Sequence, residues 1–271
     1  MDRPEADYLF NSNALNVLRR AERIALFLDF DGTLVPIKED PAKCVLPSNI
    51  KRQLEEIAVS GRCSIFILSG RSLSDIEEKV GVRGIYYGGN HGLVISGPDI
   101  EYIHPGVVSA KPIIDSIRRR LEKEIEDIEG AWIEKKKFTF TLHYRTVENE
   151  DTKSVKKIFH KAVSDFSGKL PLLVIKGKKV LELSPDLSWN KGMAALWLLE
   201  QFGNKCLPVY VGDDITDESV FRILYKKGIT VRVGSSKKSA AKYYLKGQKE
   251  VSRFLRYVLD AVKPELAGGC S

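Results

Sequence analysis

Five aspartates dominate the chemistry this sequence can offer. Asp29 and Asp31 stand one residue apart in LFLDFDGTLV, at the end of an apolar run. Asp213, Asp214 and Asp217 crowd VGDDITDES, again straight after an apolar run. Ionised carboxylates repel one another, and taking them out of water is costly unless something pairs with them. A divalent cation shared by the two clusters would satisfy them all, and hard oxygen ligands suit Mg²⁺. Each cluster also has a plainer explanation. The first could be an Asx-type turn closing a strand, and Thr216, Asp217 and Glu218 suit the first turn of a helix. The helix start accounts for Asp217 and Glu218 but leaves Asp213 and Asp214 over. Two further positions fit an anion beside the cation. The Ser69 hydroxyl and the backbone N–H groups from Gly70 onward could hold phosphate oxygens. Lys191, in SWNKGMAALWLLE, lies near a helix start, where ammonium and helix dipole both favour an anion. Alone, either is more often a turn former or a surface lysine; their weight comes from the company of the two acidic clusters.

These groups need a scaffold that brings strand ends together. IALFLDF (24–30), CSIFILSG (63–70), LPVYVGDD (207–214) and GITVRVG (228–234) read as continuously apolar strands. Amphipathic stretches, SNIKRQLEEIAVS (48–60), SLSDIEEKV and DESVFRILYKK, read as the helices between them. That alternation predicts an α/β fold with a parallel sheet covered on both faces, whose ligand crevice lies beyond the carboxyl ends of the strands. From about 105 to 184 the order changes to helix, paired strands, helix, paired strands. The expectation is a core domain of residues 1–104 and 186–271, with a smaller α+β domain of residues 105–185 inserted. In FTFTLHYR, Phe138, Phe140, Leu142 and Tyr144 share one face, which should pack on helices. Thr139, Thr141, His143 and Arg145 share the other, facing solvent or a site.

The chain has 271 residues, enough for one large core or two modest ones, and 43% of them are hydrophobic. No apolar run approaches the roughly 20 residues that span a bilayer, and the start, MDRPEADYLF, lacks an apolar signal core. The four cysteines, Cys44, Cys63, Cys206 and Cys270, form no CxxC pair. Cys63 and Cys206 each head an apolar run, as buried free thiols of a reducing, cytoplasmic compartment do. The formal net charge of +7 admits nucleic acid or an anionic small molecule as partner. The basic residues are interleaved with acidic ones, as in RRRLEKEIEDIE, and no zinc-finger, RNP or helix-turn-helix pattern occurs. That favours the small molecule. Nothing calls for an obligate oligomer, so a monomer without membrane or nucleic-acid partners is expected.

DFDGT, LSGR, the Lys191 segment and GDDITD, in that order, resemble the four motifs of the haloacid dehalogenase-like (HAD) phosphatase superfamily. The inserted unit resembles the type-two caps of its sugar-phosphatase branch. LDFDGTL, SGR, GGNHG, HYR and GDDITDE are similar, more narrowly, to the trehalose-6-phosphate phosphatases, and the likeness runs over nearly the whole chain.

The resemblance implies a Rossmann-like HAD core with an αββ-αββ cap, and a Mg²⁺-dependent hydrolysis of a sugar phosphate through an aspartyl-phosphate. Asp29 matches the nucleophile and Asp31 the general acid and base. Mg²⁺ falls to the Asp29 carboxylate, the Asp31 carbonyl and Asp213, with Asp214 and Asp217 in support. Ser69, Gly70 and Lys191 match the phosphate-holding positions. Substrate recognition falls to Arg71, Asn90 and His91 on the core and to His143, Arg145 and Glu182 on the cap; a Glu182–Lys179 surface pair and an exposed His143 are the plainer alternatives. Two positions depart from the family's habit. Ser184 replaces a frequent arginine, and HGLVI, with Val94, lacks an acidic residue after the His-Gly pair. Trehalose 6-phosphate is the substrate implied. Mannosyl-3-phosphoglycerate, sucrose 6-phosphate and a sugar-phosphate mutase activity are the alternatives.

Overall fold

The computed structural model describes residues 5–38, 40–166, 168, 170–202 and 206–263. In chain order, β1 (Asp7–Tyr8) and α1 (Ala14–Arg20) precede β2 (Arg23–Leu28). Then come α2 (Ser48–Ala58), β3 (Cys63–Leu68), α3 (Leu73–Val80), β4 (Tyr86–Gly89), β5 (Val94–Ser96) and β6 (Glu101–Ile103). They are followed by α4 (Pro105–Glu124), β7 (Trp132–Lys135), β8 (Phe140–His143), α5 (Thr152–Ser164), β9 (Leu172–Gly177) and β10 (Val180–Pro185). The last group is α6 (Lys191–Phe202), β11 (Cys206–Gly212), α7 (Glu218–Leu224), β12 (Ile229–Val233), β13 (Tyr243–Leu245) and α8 (Val251–Val262). The chain divides into two compact units, residues 1–102 with 189–271, and residues 103–188.

The first unit is built on a nine-stranded sheet in the order β1-β13-β12-β11-β2-β3-β4-β5-β6. Pairing is parallel from β1 through β4, and β5 returns antiparallel to β4. The two-residue period of a strand explains why the central runs are apolar throughout. On β2, Ile24, Leu26 and Leu28 enter a core shared with α1, α2, α3 and α8. Ala25 and Phe27 enter another, shared with α6 and α7. β3 and β11 divide their side chains the same way, so helices cover both faces. From β2 the chain winds outward to β3 on one side, and β11 lies on the other. The crevice between the ends of β2 and β11 is therefore the switch point at which such sheets bind ligands. Residues 5–20 supply an edge strand paired with β13 and bury Leu9, Ala14 and Leu18.

The second unit pairs its four strands antiparallel, in the order β7-β8-β10-β9. Phe140, Leu142 and Tyr144 pack with Ile114, Ile117 and Leu121 of α4 and Val155 and Phe159 of α5. Phe138 is buried as well. The opposite face is not left to solvent, because Thr139, Thr141 and His143 are buried. Cys44 and Cys63 are buried free thiols and Cys206 a half-buried one, while Cys270 lies outside the described residues. Burial pushes the Cys63 thiol up to about 12, so it stays protonated. No described helix is long and apolar enough to cross a membrane.

Candidate active site

Asp29 follows the last residue of β2, and its N–H donates to the Val211 carbonyl of β11 at 2.9 Å. Parallel pairing of Leu28 with Val211 thus sets Asp29 beside the end of β11, where Asp213 emerges. The turn at residues 30–35 is closed by the Gly32 N–H on Val35 O at 2.7 Å, and Gly32 takes φ +91°. A β-carbon there would run into the Asp213 carboxylate. Glycine thus meets both a backbone need and a space need at this turn.

Lys191, the first residue of α6, reaches into the same place. Its Nζ donates to Asp29 Oδ1 at 2.6 Å and to Asp217 Oδ1 at 2.8 Å, and all three side chains are buried. Asp217 Oδ1 also accepts from the buried Tyr210 hydroxyl at 2.6 Å, and its Oδ2 accepts from the Asp214 N–H at 2.9 Å. Gly212 leaves room for this side chain, since a β-carbon at 212 would overlap it. Asp29, Asp213 and Asp217 each bring an oxygen within 4.8 Å of the others, the spacing of a cation site.

Three carboxylates face one ammonium in a place largely closed to water. Burial pushes the Asp29 carboxyl well above its ordinary range; Lys191 opposes this, and Asp217 and Asp213 add to it. Burial, then Asp217 and Asp214, push Asp213 up to about 6. Burial works against the Lys191 ammonium, yet the charges of Asp217 and Asp29 outweigh it and hold the proton more firmly than usual. An all-oxygen donor set carrying surplus negative charge fits a hard divalent cation.

Asp214 is not part of this cluster. It is exposed, and its Oδ1 accepts from the Ile215 N–H at 2.7 Å, in a capping box with Asp217 over the single turn Ile215–Asp217. The helix-start explanation therefore accounts for Asp214, and it is Asp213 that it leaves over. Glu218 is tied to Arg232, Ser239 and the Ala240 N–H, a structural anchor between α7 and the strands beyond it.

Arg71 differs from the sequence expectation of a group presented to substrate. Its Nε donates to Asp31 Oδ2 at 2.6 Å and its Nη2 to Asp31 Oδ1 at 2.7 Å, a two-pronged grip. Nη1 holds Asp75 Oδ2 at 2.7 Å, and Nη2 also reaches Pro41 O at 3.0 Å. Four of the five N–H groups of a guanidinium are thereby used. Burial opposes the charge of Arg71, and the hydrogen bonds and charges of Asp31 and Asp75 outweigh it. Ser69, Asn90 and His91 are gathered around the same loop. The Ser69 hydroxyl accepts from the Arg71 N–H at 3.2 Å, the Asn90 N–H donates to Arg71 O at 2.7 Å, and the His91 N–H to Ser69 O at 2.9 Å. A β-carbon on Gly70 would crowd the His91 ring. Asn90 and His91 both adopt left-handed backbone, φ 49° and 58°, and the buried Asn90 Oδ1 has no hydrogen-bond partner. Left-handed backbone and an acceptor without a partner thus coincide in this loop.

In the second unit, His143 is buried, not exposed: its Nε2 lies 2.9 Å from Glu134 Oε2, and its ring stacks on Trp132. Glu182 pairs with the buried Lys136 at 3.0 Å instead of Lys179, which occupies the β9–β10 turn. Arg145 donates to Lys178 O at 3.0 Å. Glu182 Oε1 and the Thr139 and Thr141 hydroxyls are buried without a hydrogen-bond partner. The departures are both buried: Ser184 donates to Pro185 O at 3.3 Å, and Val94 pairs with Gly89. Tyr210, Glu134 and Lys136 escaped the sequence reading. Tyr210 reads as one more core residue of an apolar strand, and Lys136 as one of three solvated lysines.

The sequence profile of the trehalose-phosphatases matches residues 27–249, from the end of the strand that leads into Asp29 to beyond the last acidic cluster. The chain belongs to the trehalose-phosphatase family. It is 34% identical over 268 residues to a probable trehalose-phosphate phosphatase of Arabidopsis thaliana, covering 92% of this chain and 70% of that one. The chain spans 54% of the length of a trehalose-phosphate phosphatase of Mycobacterium tuberculosis to which it is 34% identical over 218 residues. The fold is also that of the C-terminal domain of the Candida albicans trehalose-6-phosphate phosphatase. There the TM-score is 0.79 at 21% identity, over 96% of this chain and 99% of that one. A haloacid dehalogenase-like hydrolase of Bacteroides thetaiotaomicron shares the fold at a TM-score of 0.61 and 18% identity, over 87% and 99% of the two chains.

Proposed function

We propose that this family member hydrolyses trehalose 6-phosphate to trehalose and phosphate, with Asp29 as nucleophile. The observation that carries the chemistry is Asp29 itself: a buried carboxylate held at one oxygen by Lys191 Nζ, inside a cluster of surplus negative charge. Mg²⁺ would be held by the carboxylates of Asp29 and Asp213 and by the Asp31 carbonyl, and when bound it would neutralise charge on the phosphoryl oxygens. Asp217 serves differently, aiming the Lys191 ammonium through a bond whose other oxygen is fixed by the Asp214 N–H.

An Asp29 oxygen attacks phosphorus in line as the bond to the sugar oxygen breaks, and that oxygen takes a proton from Asp31. Lys191, Ser69 and the N–H groups from Gly70 onward hold the phosphoryl oxygens. Water then gives a proton to the Asp31 carboxylate and attacks phosphorus, the bond to Asp29 breaks, and phosphate leaves. Arg71 donates to both oxygens of Asp31, so to carry a proton in either direction Asp31 must give up at least one of these N–H groups. For reading the sugar we put forward Arg71's neighbours Asn90 and His91 and, on the family resemblance alone, His143, Arg145 and Glu182. The profile match supports the disaccharide over other sugar phosphates. Free thiols fit a cytoplasmic enzyme, and we take it to act as a monomer without nucleic-acid or membrane partners.

Phosphate release from trehalose 6-phosphate, sucrose 6-phosphate, mannosyl-3-phosphoglycerate and glucose 6-phosphate, with and without Mg²⁺, tests this. Mg²⁺-dependent preference for the first is expected, with activity at least ~10³-fold lower in Asp29→Asn and Asp31→Asn. Normal turnover by either variant ends the mechanism; equal rates across the panel end the substrate assignment.

A further inference from the structure

Asp75 stands in the first turn of α3, where a carboxylate suits the helix dipole and its own N–H donates to the Ser72 hydroxyl at 3.3 Å. That accounts for an acid at this position, but not for where its side chain goes. Asp75 Oδ2 takes Nη1 of Arg71 at 2.7 Å, the end of the guanidinium that Asp31 leaves over. This is not a loose surface pair, for the Arg71 side chain is only 10% exposed.

The guanidinium is held from several directions at once. Asp31 lies on the edge made by Nε and Nη2, Asp75 at Nη1, and Pro41 O at 3.0 Å from Nη2. The Phe30 ring centre lies 5.3 Å from the guanidinium carbon. A planar fork so surrounded keeps a single orientation, with its Nε–Nη2 edge towards Asp31. One turn further along α3, Lys79 Nζ lies 3.8 Å from Asp75 Oδ1 and donates to Ala42 O at 3.0 Å and Cys44 O at 3.3 Å. Asp75 thus stands between two cations that fasten the loop following the aspartate pair.

The second carboxylate matters when Asp31 carries a proton and lets go of at least one Arg71 N–H. Asp75 is then the carboxylate that stays on Arg71. We infer that Asp75 is a positioning residue, which keeps the Arg71 guanidinium in place while Asp31 carries the proton, so that the two-pronged grip is remade within each turnover. The inference rests on the reading of Asp31 as acid and base given above.

Steady-state phosphate release from trehalose 6-phosphate by the whole chain with Mg²⁺ provides the test. Asp75→Asn should lower kcat about fivefold to tenfold and change KM by less than about twofold. Its Mg²⁺-induced rise in melting midpoint should equal that of the wild type, which a general loosening of the site would not allow. Asp75→Glu, which keeps the charge, should recover most of kcat. In the Arg71→Lys background, Asp75→Asn should lower kcat by less than about a further twofold, because the group it positions is gone. A wild-type kcat in Asp75→Asn, or losses that multiply in the double variant, overturns the inference; an inactive Asp31→Asn leaves the acid and base reading standing beside that failure. Normal turnover by Asp31→Asn overturns both. Should Asp75→Asn not fold, Asp75→Ser in the same two backgrounds decides the matter.

Discussion

Replacing Asp213 by asparagine should stabilise the metal-free protein at neutral pH and abolish its response to Mg²⁺. The side chain is pushed from an ordinary 3.8 up to about 6 by burial, then by Asp217 and Asp214. A raised carboxyl stabilises the folded state only while it is protonated. Its contribution is complete below about pH 4 and is lost as pH rises through about 6. Above that, a carboxyl so displaced costs about 3 kcal/mol. Asparagine keeps the shape and the acceptor that faces Thr33 at 3.5 Å, and it carries no charge. The variant should therefore match the wild type near pH 4 and exceed it by about 2–3 kcal/mol at pH 7.5. For a chain this long, that corresponds to about 5–10 °C in the melting midpoint. Mg²⁺ acts in the opposite sense. At a hundredfold excess over its Kd it should stabilise the wild type by about 2.7 kcal/mol, and the variant by far less. Thermal unfolding in EDTA and in Mg²⁺, from pH 4 to 8, measures both effects. A variant less stable than the wild type in EDTA at pH 7.5, or one gaining as much from Mg²⁺, refutes the charge reasoning.

Two further substitutions probe the parts that hold this cluster. Gly32→Ala should destabilise by about 3 kcal/mol or more and lose the Mg²⁺ response, since it combines a left-handed backbone with overlap on Asp213; calorimetry with and without metal checks it. Arg71→Lys keeps the charge but not the two-pronged grip on Asp31, and kcat for phosphate release should fall about tenfold to a hundredfold; an unchanged kcat shows that the clamp has no part in turnover.

Much of this was legible in the residues alone, for physical reasons that can be named. Asp29, Ser69 and Asp213 stand out because ionisable or polar groups following fully apolar runs have few structural uses. The apolar runs themselves mark parallel strands covered on both faces, and the two-residue alternation in FTFTLHYR gives the packing face of β8 correctly. What stayed hidden depends on the third dimension. Which aspartate of GDDITD turns inward is decided by one turn, Ile215–Asp217, which sends Asp214 out as its cap and Asp217 in beneath Lys191. The partner of Glu182 could not be found by distance along the chain. Lys136 begins the β7–β8 turn, closed by its N–H on Thr139 O at 3.1 Å, and from there its side chain reaches Glu182.

Arg71 carries the same lesson into mechanism. Its sequence context, a guanidinium just past a strand end, suits an anionic ligand, and the bidentate geometry that would serve a phosphate serves the Asp31 carboxylate equally well. The structure gives the preference to the carboxylate, and it also ties Arg71 to Pro41 O, so the loop after the aspartate pair is fastened by the same side chain. Asp29 and Asp31, alike in type and two residues apart, are thereby made different. One is buried against an ammonium that leaves an oxygen available for attack. The other sits at a more open position, in the grip of a cation that never gives up its own proton. The acid and base of the proposed mechanism, which changes protonation state twice in each turnover, is better placed there than beside Lys191, where every such change would be made inside a buried ion pair.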